Sequence, residues 1–302
     1  MRHPPSDIAL PQTVERAILH AVTYADVFDY PLTVAEIHRY LVGVSASLAV
    51  VCATLESGPL VRWEGYFTLP DREHIVETRL RRAKVAARMC PRAVQYGLAI
   101  ASLPFVRMVA VTGALAMNNV EPADDIDYLI VAEPDRLWLC RAMVIALVVK
   151  PAACRGDVLC PNYLLSERAL ALREHNLFTA HELVQMVPIV GLAVYRRMRR
   201  ANTWTARFLP NAHDPPRRVD PAPPARRPIH TLAEVALRTP VGAWLERWEM
   251  DRKVHKFSRQ SDGQAEVAFS ADWCKGHFES NGRLILEALS CRLQEMEGRE
   301  PR

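Results

Sequence analysis

Two acidic residues, Asp125 and Asp127, have the type and spacing needed to bind a metal ion. They open a predicted strand, Asp125–Val131, so both side chains are expected on one face of a sheet. At about 3.3 Å per residue their Cα atoms lie roughly 6.5–7 Å apart, and both carboxylates can reach one cation. Because two like charges at the start of a buried strand are costly without compensation, we expect a cation there. Mg²⁺, or alternatively Mn²⁺, is the predicted ion, since Mg²⁺ uses few carboxylates and leaves positions for phosphate.

A glycine turn precedes the aspartate pair. Gly113 directly follows an apolar strand predicted over Phe105–Val111 and opens a short helical turn. Since glycine has no Cβ, its backbone can approach a triphosphate, and N–H groups at a helix start point toward phosphate oxygens. Thr112, Gly113 and Ala114 are therefore the predicted phosphate-binding residues. A phosphate cradle beside paired carboxylates is the combination that phosphoryl transfer requires.

The segments Thr112-Gly113-Ala114 and Asp125-Ile126-Asp127-Tyr128 together resemble the signature of the DNA polymerase beta-type nucleotidyltransferase superfamily. The wider arrangement is similar to bacterial nucleotidyltransferase-domain proteins that carry an N-terminal winged helix. The resemblance implies that a nucleoside monophosphate is moved from an NTP to a hydroxyl, with release of pyrophosphate. It also implies that Asp125 and Asp127 are the catalytic residues and hold the metal ion.

The sequence departs from that family pattern in two places. Ala114 stands where the family has Gly or Ser, so no hydroxyl is available there, although Thr112 could substitute. The family's third carboxylate is also not obvious, because the predicted third strand, Val158–Leu165, carries Asn162. Asn162 is the predicted third metal ligand, and Asp157 and Glu167 remain alternatives as ligand or base. The alternative function is a catalytically degenerate binding or regulatory module that docks a partner or DNA through its winged helix.

Residues 1–71 are predicted to form a winged helix-turn-helix. Helices are expected over Val14–Phe28, from Thr33 to Leu41, and over Ser45–Leu55, followed by a two-stranded wing around Glu64-Gly65. The third helix contains no Lys or Arg, which a DNA recognition helix needs. The sequence therefore favours packing or partner docking over DNA binding.

The remaining chain divides into three predicted segments within an α+β fold. Residues 72–200 form the nucleotidyltransferase core behind a connector helix. The basic stripe of this helix is expected to be a solvated face and consists of Arg79, Arg81, Arg82, Lys84 and Arg88. Residues 201–230 are a Pro/Arg-rich linker or an extended wrap, and residues 231–302 form a C-terminal helical region. Capping boxes at Thr179–Glu182 and Thr231–Glu234 are expected to start helices, and Pro188 is expected to interrupt one.

Composition limits the function classes. The 302 residues contain 38 Lys plus Arg and 34 Asp plus Glu, a net charge of +4, which is too small for a protein that mainly wraps nucleic acid. No apolar stretch is long enough to cross a bilayer, no secretion leader is evident, and the seven cysteines lack a CxxC pair. A cytoplasmic location is expected. The predicted partners are an NTP and a hydroxyl acceptor, which could be RNA, a protein or a small molecule.

Overall fold

The N-terminal unit consists of three helices and a small antiparallel sheet. The computed structural model describes residues 9–217, 219, 228–260, 269–275 and 278–297. The helices are α1 (Val14–Asp26), α2 (Val34–Arg39) and α3 (Leu48–Ser57), and the strands are β1 (Leu32–Thr33), β2 (Val61–Trp63) and β3 (Tyr66–Thr68), in the order β1-β3-β2. Each helix begins at a hydroxyl cap, Thr13, Thr33 or Ser47, which accepts an N–H three residues on. The three predicted helices and the predicted hairpin are confirmed as elements.

A five-stranded mixed sheet forms the centre of the molecule. Its strands are β4 (Val106–Val111), β5 (Ile126–Ala132), β6 (Leu159–Ser166), β7 (Val187–Val190) and β8 (Trp273–Lys275), in the order β7-β4-β5-β6-β8. Strands β5 and β6 are parallel, and the other neighbours are antiparallel. The three predicted strands are confirmed to within one residue at each end.

Ten helices accompany the sheet in the part of the chain that is described. They are α4 (Ile75–Ala101), α5 (Gly113–Ala116), α6 (Leu137–Val144), α7 (Lys150–Ala153), α8 (Leu177–Gln185), α9 (Leu192–Ala201), α10 (Thr205–Phe208), α11 (Pro228–Leu237), α12 (Pro240–Gln260) and α13 (Phe278–Glu297). A π-helical turn, Ile145–Val149, joins α6 to α7. The fold is therefore mixed α+β. Among the described helices, none combines the length and the apolar character that a membrane crossing requires.

Strand β7 corrects the prediction that Pro188 interrupts a helix. Pro188 lies within β7 and is paired with Ala110 of β4. In the described part of the chain, β7 is an edge strand of the sheet. An edge strand tolerates proline because no strand on its outer side has to accept a hydrogen bond from the missing N–H group. The proline is therefore compatible with a strand at this position.

The starts of two helices differ from the predicted capping boxes. Helix α8 begins after Asn176, whose Oδ1 accepts the Thr179 N–H at 2.8 Å, so Thr179 lies inside the helix. Helix α11 begins at Pro228, which has no N–H to leave unpaired in the first turn, so Thr231 also lies inside a helix. The capping-box prediction was wrong at both places, because Asn176 caps α8 and α11 begins at Pro228.

The segment predicted as a linker or an extended wrap packs on the core through most of its described part. Asn202 is fully buried, and its side chain donates to the carbonyls of Leu170 and Met198, both at 2.7 Å. Leu209 and Ala212 are also buried. These contacts hold the chain after α9 against the core, although the segment is rich in proline and arginine.

The basic stripe of α4 fastens the N-terminal unit to the core. Arg79 forms a bidentate ion pair with Glu36 of α2, and both Arg81 and Arg82 pair with Glu121. The prediction of a solvated face was therefore wrong for Arg79 and Arg82, whose side chains are only 12% and 17% exposed. It is right for Arg81, Lys84 and Arg88, which are exposed.

Apolar packing joins the N-terminal unit to later parts of the chain. The buried cluster around α1 and α2 includes Leu177 and Phe178 of α8 and Leu286 and Leu289 of α13. Two further clusters cover the two faces of the large sheet, which explains why β5 is apolar on both sides. The N-terminal unit therefore shares its core with α8 and α13.

Candidate functional site

The two aspartates lie together at the start of β5. Asp127 is the second residue of that strand, and Asp125 immediately precedes it. One carboxylate oxygen from each, together with Sγ of Cys160, all lie within 4.8 Å of one another. Among the described residues, this is the one group of three or more His, Cys, Asp or Glu side chains placed to share a metal ion. The structure thus brings the predicted pair together and adds a sulfur that the sequence argument missed.

The glycine turn is in direct contact with Asp127. Gly113 has φ of +63°, which residues with a side chain rarely adopt, and a Cβ there would lie 2.5 Å from Asp127 Oδ2. The N–H of Thr112 donates to the main-chain carbonyl of Asp127 at 3.0 Å. Glycine is therefore needed at residue 113 for two reasons, and the two halves of the predicted motif are adjacent.

Thr112 and Ala114 face different surroundings. Gly113 and Ala114 line a cavity of about 360 Å³, whereas Thr112 lines a separate cavity of about 30 Å³. The Thr112 hydroxyl is buried and has no hydrogen-bond partner among the described residues. The structure therefore separates Thr112 from the two residues with which the sequence predicts it to act.

A β-bulge in β6 places two polar side chains against Asp127. Cys160 is opposite Asp127 in the parallel register, and two residues, Pro161 and Asn162, together face the single residue between Asp127 and Leu129. The Cys160 thiol and the Asn162 amide lie beside the Asp127 carboxyl, and their polar interactions with it act to lower its pKa. Asn162 is thus within reach of the predicted metal site.

The two alternative acids are engaged elsewhere. Asp157 accepts a hydrogen bond from the Tyr96 hydroxyl at 2.6 Å and forms an ion pair with Arg92. Glu167 forms an ion pair with Arg197. The structure therefore gives both carboxylates partners other than the aspartate pair.

Glu182 of α8 is the acid that faces the site. It lines the same cavity as Asp127, and the negative charge of Asp127 raises its pKa. Sequence reasoning assigned Glu182 to a helix cap, but it lies well inside α8. The sequence signal that was missed is the position of Glu182 between His181 and Leu183. Both of these neighbours are buried in α8.

Burial and crowding of acids control the charge of this site. Burial, with a further contribution from the charge of Asp125, raises the pKa of Asp127 to about 7. Burial also raises the pKa of Glu182 to about 8, with Asp127 as the second cause. Near neutral pH these acids therefore hold protons for much of the time unless a positive charge is present. A bound cation would favour their ionised forms.

The cavity beside the aspartates lies between the core and the N-terminal unit. Its lining includes the carboxyl groups of Asp127 and Glu182 and the rings of Tyr24, Phe28, Tyr30, Tyr40, Phe178 and His181. The Tyr24 and His181 rings are stacked, with their centroids 3.9 Å apart. The N-terminal unit thus supplies most of the aromatic rings of a cavity whose carboxyl groups belong to the core.

No protein-family model, curated protein or solved structure matches this chain. The functional argument therefore depends on the geometry of the site.

Proposed function

We propose that this chain is a metal-dependent nucleotidyltransferase, which moves a nucleoside monophosphate from an NTP to a hydroxyl and releases pyrophosphate. The observation that carries the proposal is the contact between Gly113 and Asp127. A turn that tolerates no Cβ lies directly against a pair of carboxylates, so phosphate and metal sites would be adjacent, as the reaction requires. The mixed sheet that holds both segments is consistent with the resemblance in sequence.

The donors at the aspartate pair fit a divalent cation. Asp125 and Asp127 offer hard oxygen ligands of the kind that Mg²⁺ and Mn²⁺ prefer. Burial first, and then the negative charge of Asp125, raise the pKa of Asp127, and a bound cation would oppose both effects. The nearby Cys160 sulfur is a softer donor and favours Mn²⁺ over Mg²⁺. Such a cation, when bound, neutralises a triphosphate and aligns it for in-line attack.

The remaining roles fall to residues at the cavity. The backbone at Gly113 and Ala114 would lie close to the phosphates, since no side chain larger than a methyl group intervenes. Asn162 and Cys160 would orient the Asp127 carboxyl through polar interactions. We assign Glu182 as the group that accepts the proton of the acceptor hydroxyl, because it lines the cavity and its pKa of about 8 suits a base near neutral pH.

Calorimetry tests this proposal before any acceptor is known. Each of the four NTPs is titrated, with Mg²⁺ or Mn²⁺, into the wild type, the Asp125→Asn/Asp127→Asn double variant and an Asp124→Asn control. Asp124 is an exposed neighbouring acid, and asparagine can still accept the Glu121 N–H there. We expect metal-dependent binding by the wild type and the control, and none by the double variant. Equal binding by the double variant would contradict the proposal.

A second candidate function is that of a catalytically degenerate nucleotidyltransferase-fold module, which binds a partner or DNA through its N-terminal unit. The observation that favours it is the cavity lining, in which no Lys or Arg is found among the described residues, together with Ala114 in the glycine turn. Phosphates would then have few charged partners. Failure of the folded wild type to bind any NTP in the same titration would favour this candidate.

A further inference from the structure

The lining of the cavity beside the aspartates is of two chemical kinds. The polar part comprises the carboxyl groups of Asp127 and Glu182 and the amides of Asn119, Asn162 and Gln185. The rest is formed by aromatic and aliphatic side chains from α1, α8, α13 and the turns next to α1 and α2. A ligand that matches this lining has an apolar, ring-bearing body and one polar group.

We infer that this cavity binds the acceptor and that the acceptor is a small ring-bearing molecule, neutral or cationic, whose hydroxyl lies at Asp127 and Glu182. The acceptor role rests on the proposed function, but the ligand class follows from the lining alone. The sequence leaves RNA, a protein and a small molecule open as acceptors, and the cavity favours the small molecule.

The size and walls of the cavity support a small molecule. Its volume of about 360 Å³ lies within the range of roughly 300–1,000 Å³ that is usual for small-molecule sites. Wall residues come from both ends of the chain, such as Ala21 and Ala25 of α1 and Ile285 of α13. An RNA strand or a folded protein would need a longer groove than a cavity of this volume offers.

The charge of the lining argues against an anionic ligand. None of the described lining residues is Lys or Arg, whereas two are acids. An RNA backbone or a carboxylate placed there would meet like charges without counter-charges. A hydroxyl can instead donate to a carboxylate, and an ammonium group is further favoured by the surrounding aromatic rings.

Three matched probes test the ligand class: 2-naphthylmethanol, 2-naphthylmethylamine and 2-naphthoate. They share one ring system and differ only in the polar group, so affinities measured by calorimetry without metal or nucleotide compare that group directly. The titrations are done at pH 8.5, above the pKa values of about 7 and about 8 of Asp127 and Glu182, so that both acids are ionised. We expect the alcohol and the amine to bind, and the carboxylate to bind at least about tenfold more weakly. Absence of binding by all three, or tightest binding of the carboxylate, would overturn the inference.

Two variants locate the bound probe. Phe28 is half-buried in the cavity wall, so Phe28→Ala should weaken binding of the alcohol about tenfold. Trp63→Ala removes a ring that is 54% exposed on the hairpin, away from the cavity lining, and should change nothing. If Phe28→Ala does not fold, Ile285→Ala tests the opposite wall. Equal losses in the wall and control variants would overturn the inference.

The probe titrations and the NTP titrations test the ligand class and the proposed function separately. If NTP and metal bind but no probe does, this inference falls and the proposed function stands. If the probes bind as expected and no NTP binds, the ligand class stands and the acceptor role falls with the proposed function.

Discussion

The thiol of Cys160 and the carboxyl of Asp127 face each other across the parallel strands β5 and β6, with Sγ and a carboxylate oxygen within 4.8 Å of each other. Burial raises the pKa of this thiol to about 12, and the charge of Asp127 adds to the shift, so the sulfur is protonated in the metal-free protein. A metal ion held by the two aspartates would have this sulfur within reach. The proximity therefore predicts that the choice of metal depends on Cys160.

The first prediction concerns metal preference. The wild type should bind Mn²⁺ more tightly than Mg²⁺, and Cys160→Ser should reduce that preference about tenfold, because a hydroxyl replaces the softer sulfur. Isothermal titration with each metal measures the ratio of affinities. Cys154→Ser, at an exposed cysteine, is the control and should behave like the wild type. An unchanged ratio in Cys160→Ser would exclude a role of the sulfur at the metal.

The second prediction concerns the glycine turn. Gly113→Ala places a Cβ 2.5 Å from Asp127 Oδ2 and must also adopt a positive φ. Gly65→Ala is the matched control, since its φ is +84° but a Cβ there meets nothing within 4 Å. Urea denaturation should show a loss of about 1 kcal/mol for Gly65→Ala, from backbone strain alone, and a larger loss for Gly113→Ala. Equal losses would mean that the Gly113–Asp127 contact carries no constraint.

The third prediction concerns pH and stability of the metal-free protein. An acid whose pKa is higher in the folded than in the unfolded state binds more protons when folded, so its contribution to the free energy of unfolding falls as pH rises. For Asp127 the fall should extend from about pH 4 to about pH 7, with a slope of up to about 1.4 kcal/mol per pH unit.

Urea denaturation in EDTA between pH 5 and pH 8 measures this effect. The stability of Asp127→Asn relative to the wild type should increase with pH, because asparagine has no proton to lose. Asp124→Asn removes only a minor cause of the raised Asp127 pKa, so its offset from the wild type should change with pH much less than that of Asp127→Asn. A constant offset for Asp127→Asn as well would show that the Asp127 carboxyl titrates normally.

The fourth prediction concerns the attachment of the N-terminal unit. Arg79 and Glu36 form a bidentate ion pair in which the side chains are only 12% and 22% exposed. Glu36→Gln leaves the arginine charge partly buried without its partner and should cost about 3 kcal/mol in urea denaturation. Asp135→Asn breaks the exposed pair with Arg168 and should cost less than about 1 kcal/mol. Equal costs would show that the Arg79 pair does not hold the unit in place.

Local patterns were enough to predict the elements that carry the aspartate pair. Strands β4 and β5 are apolar runs bounded by Gly113 on one side and Asp125 on the other, so their type and position follow from nearby residues. The helices of the N-terminal unit follow from their hydroxyl caps and apolar spacing. These parts depend on interactions over short stretches of chain.

The parts that could not be predicted depend on distant contacts. Strand β8 forms because it pairs with β6, although a long stretch of chain separates the two strands in sequence. Strand β7 is likewise stabilised by its pairing with β4. Glu182 could not be placed at the site without the packing of α8 over β5. The bulge that brings Cys160 and Asn162 to Asp127 depends on the pairing of two strands, which spacing along one strand does not specify.

The most direct test of the account is binding of Mn²⁺ to the aspartate pair, followed by electron paramagnetic resonance of the free ion. We expect the wild type and Asp124→Asn to bind Mn²⁺, with binding strengthened as the pH rises through about 7, where Asp127 loses its proton. Asp127→Asn should lose most of this binding. Mn²⁺ binding that is equal in the wild type and Asp127→Asn would contradict the central claim that Asp125 and Asp127 form a metal site.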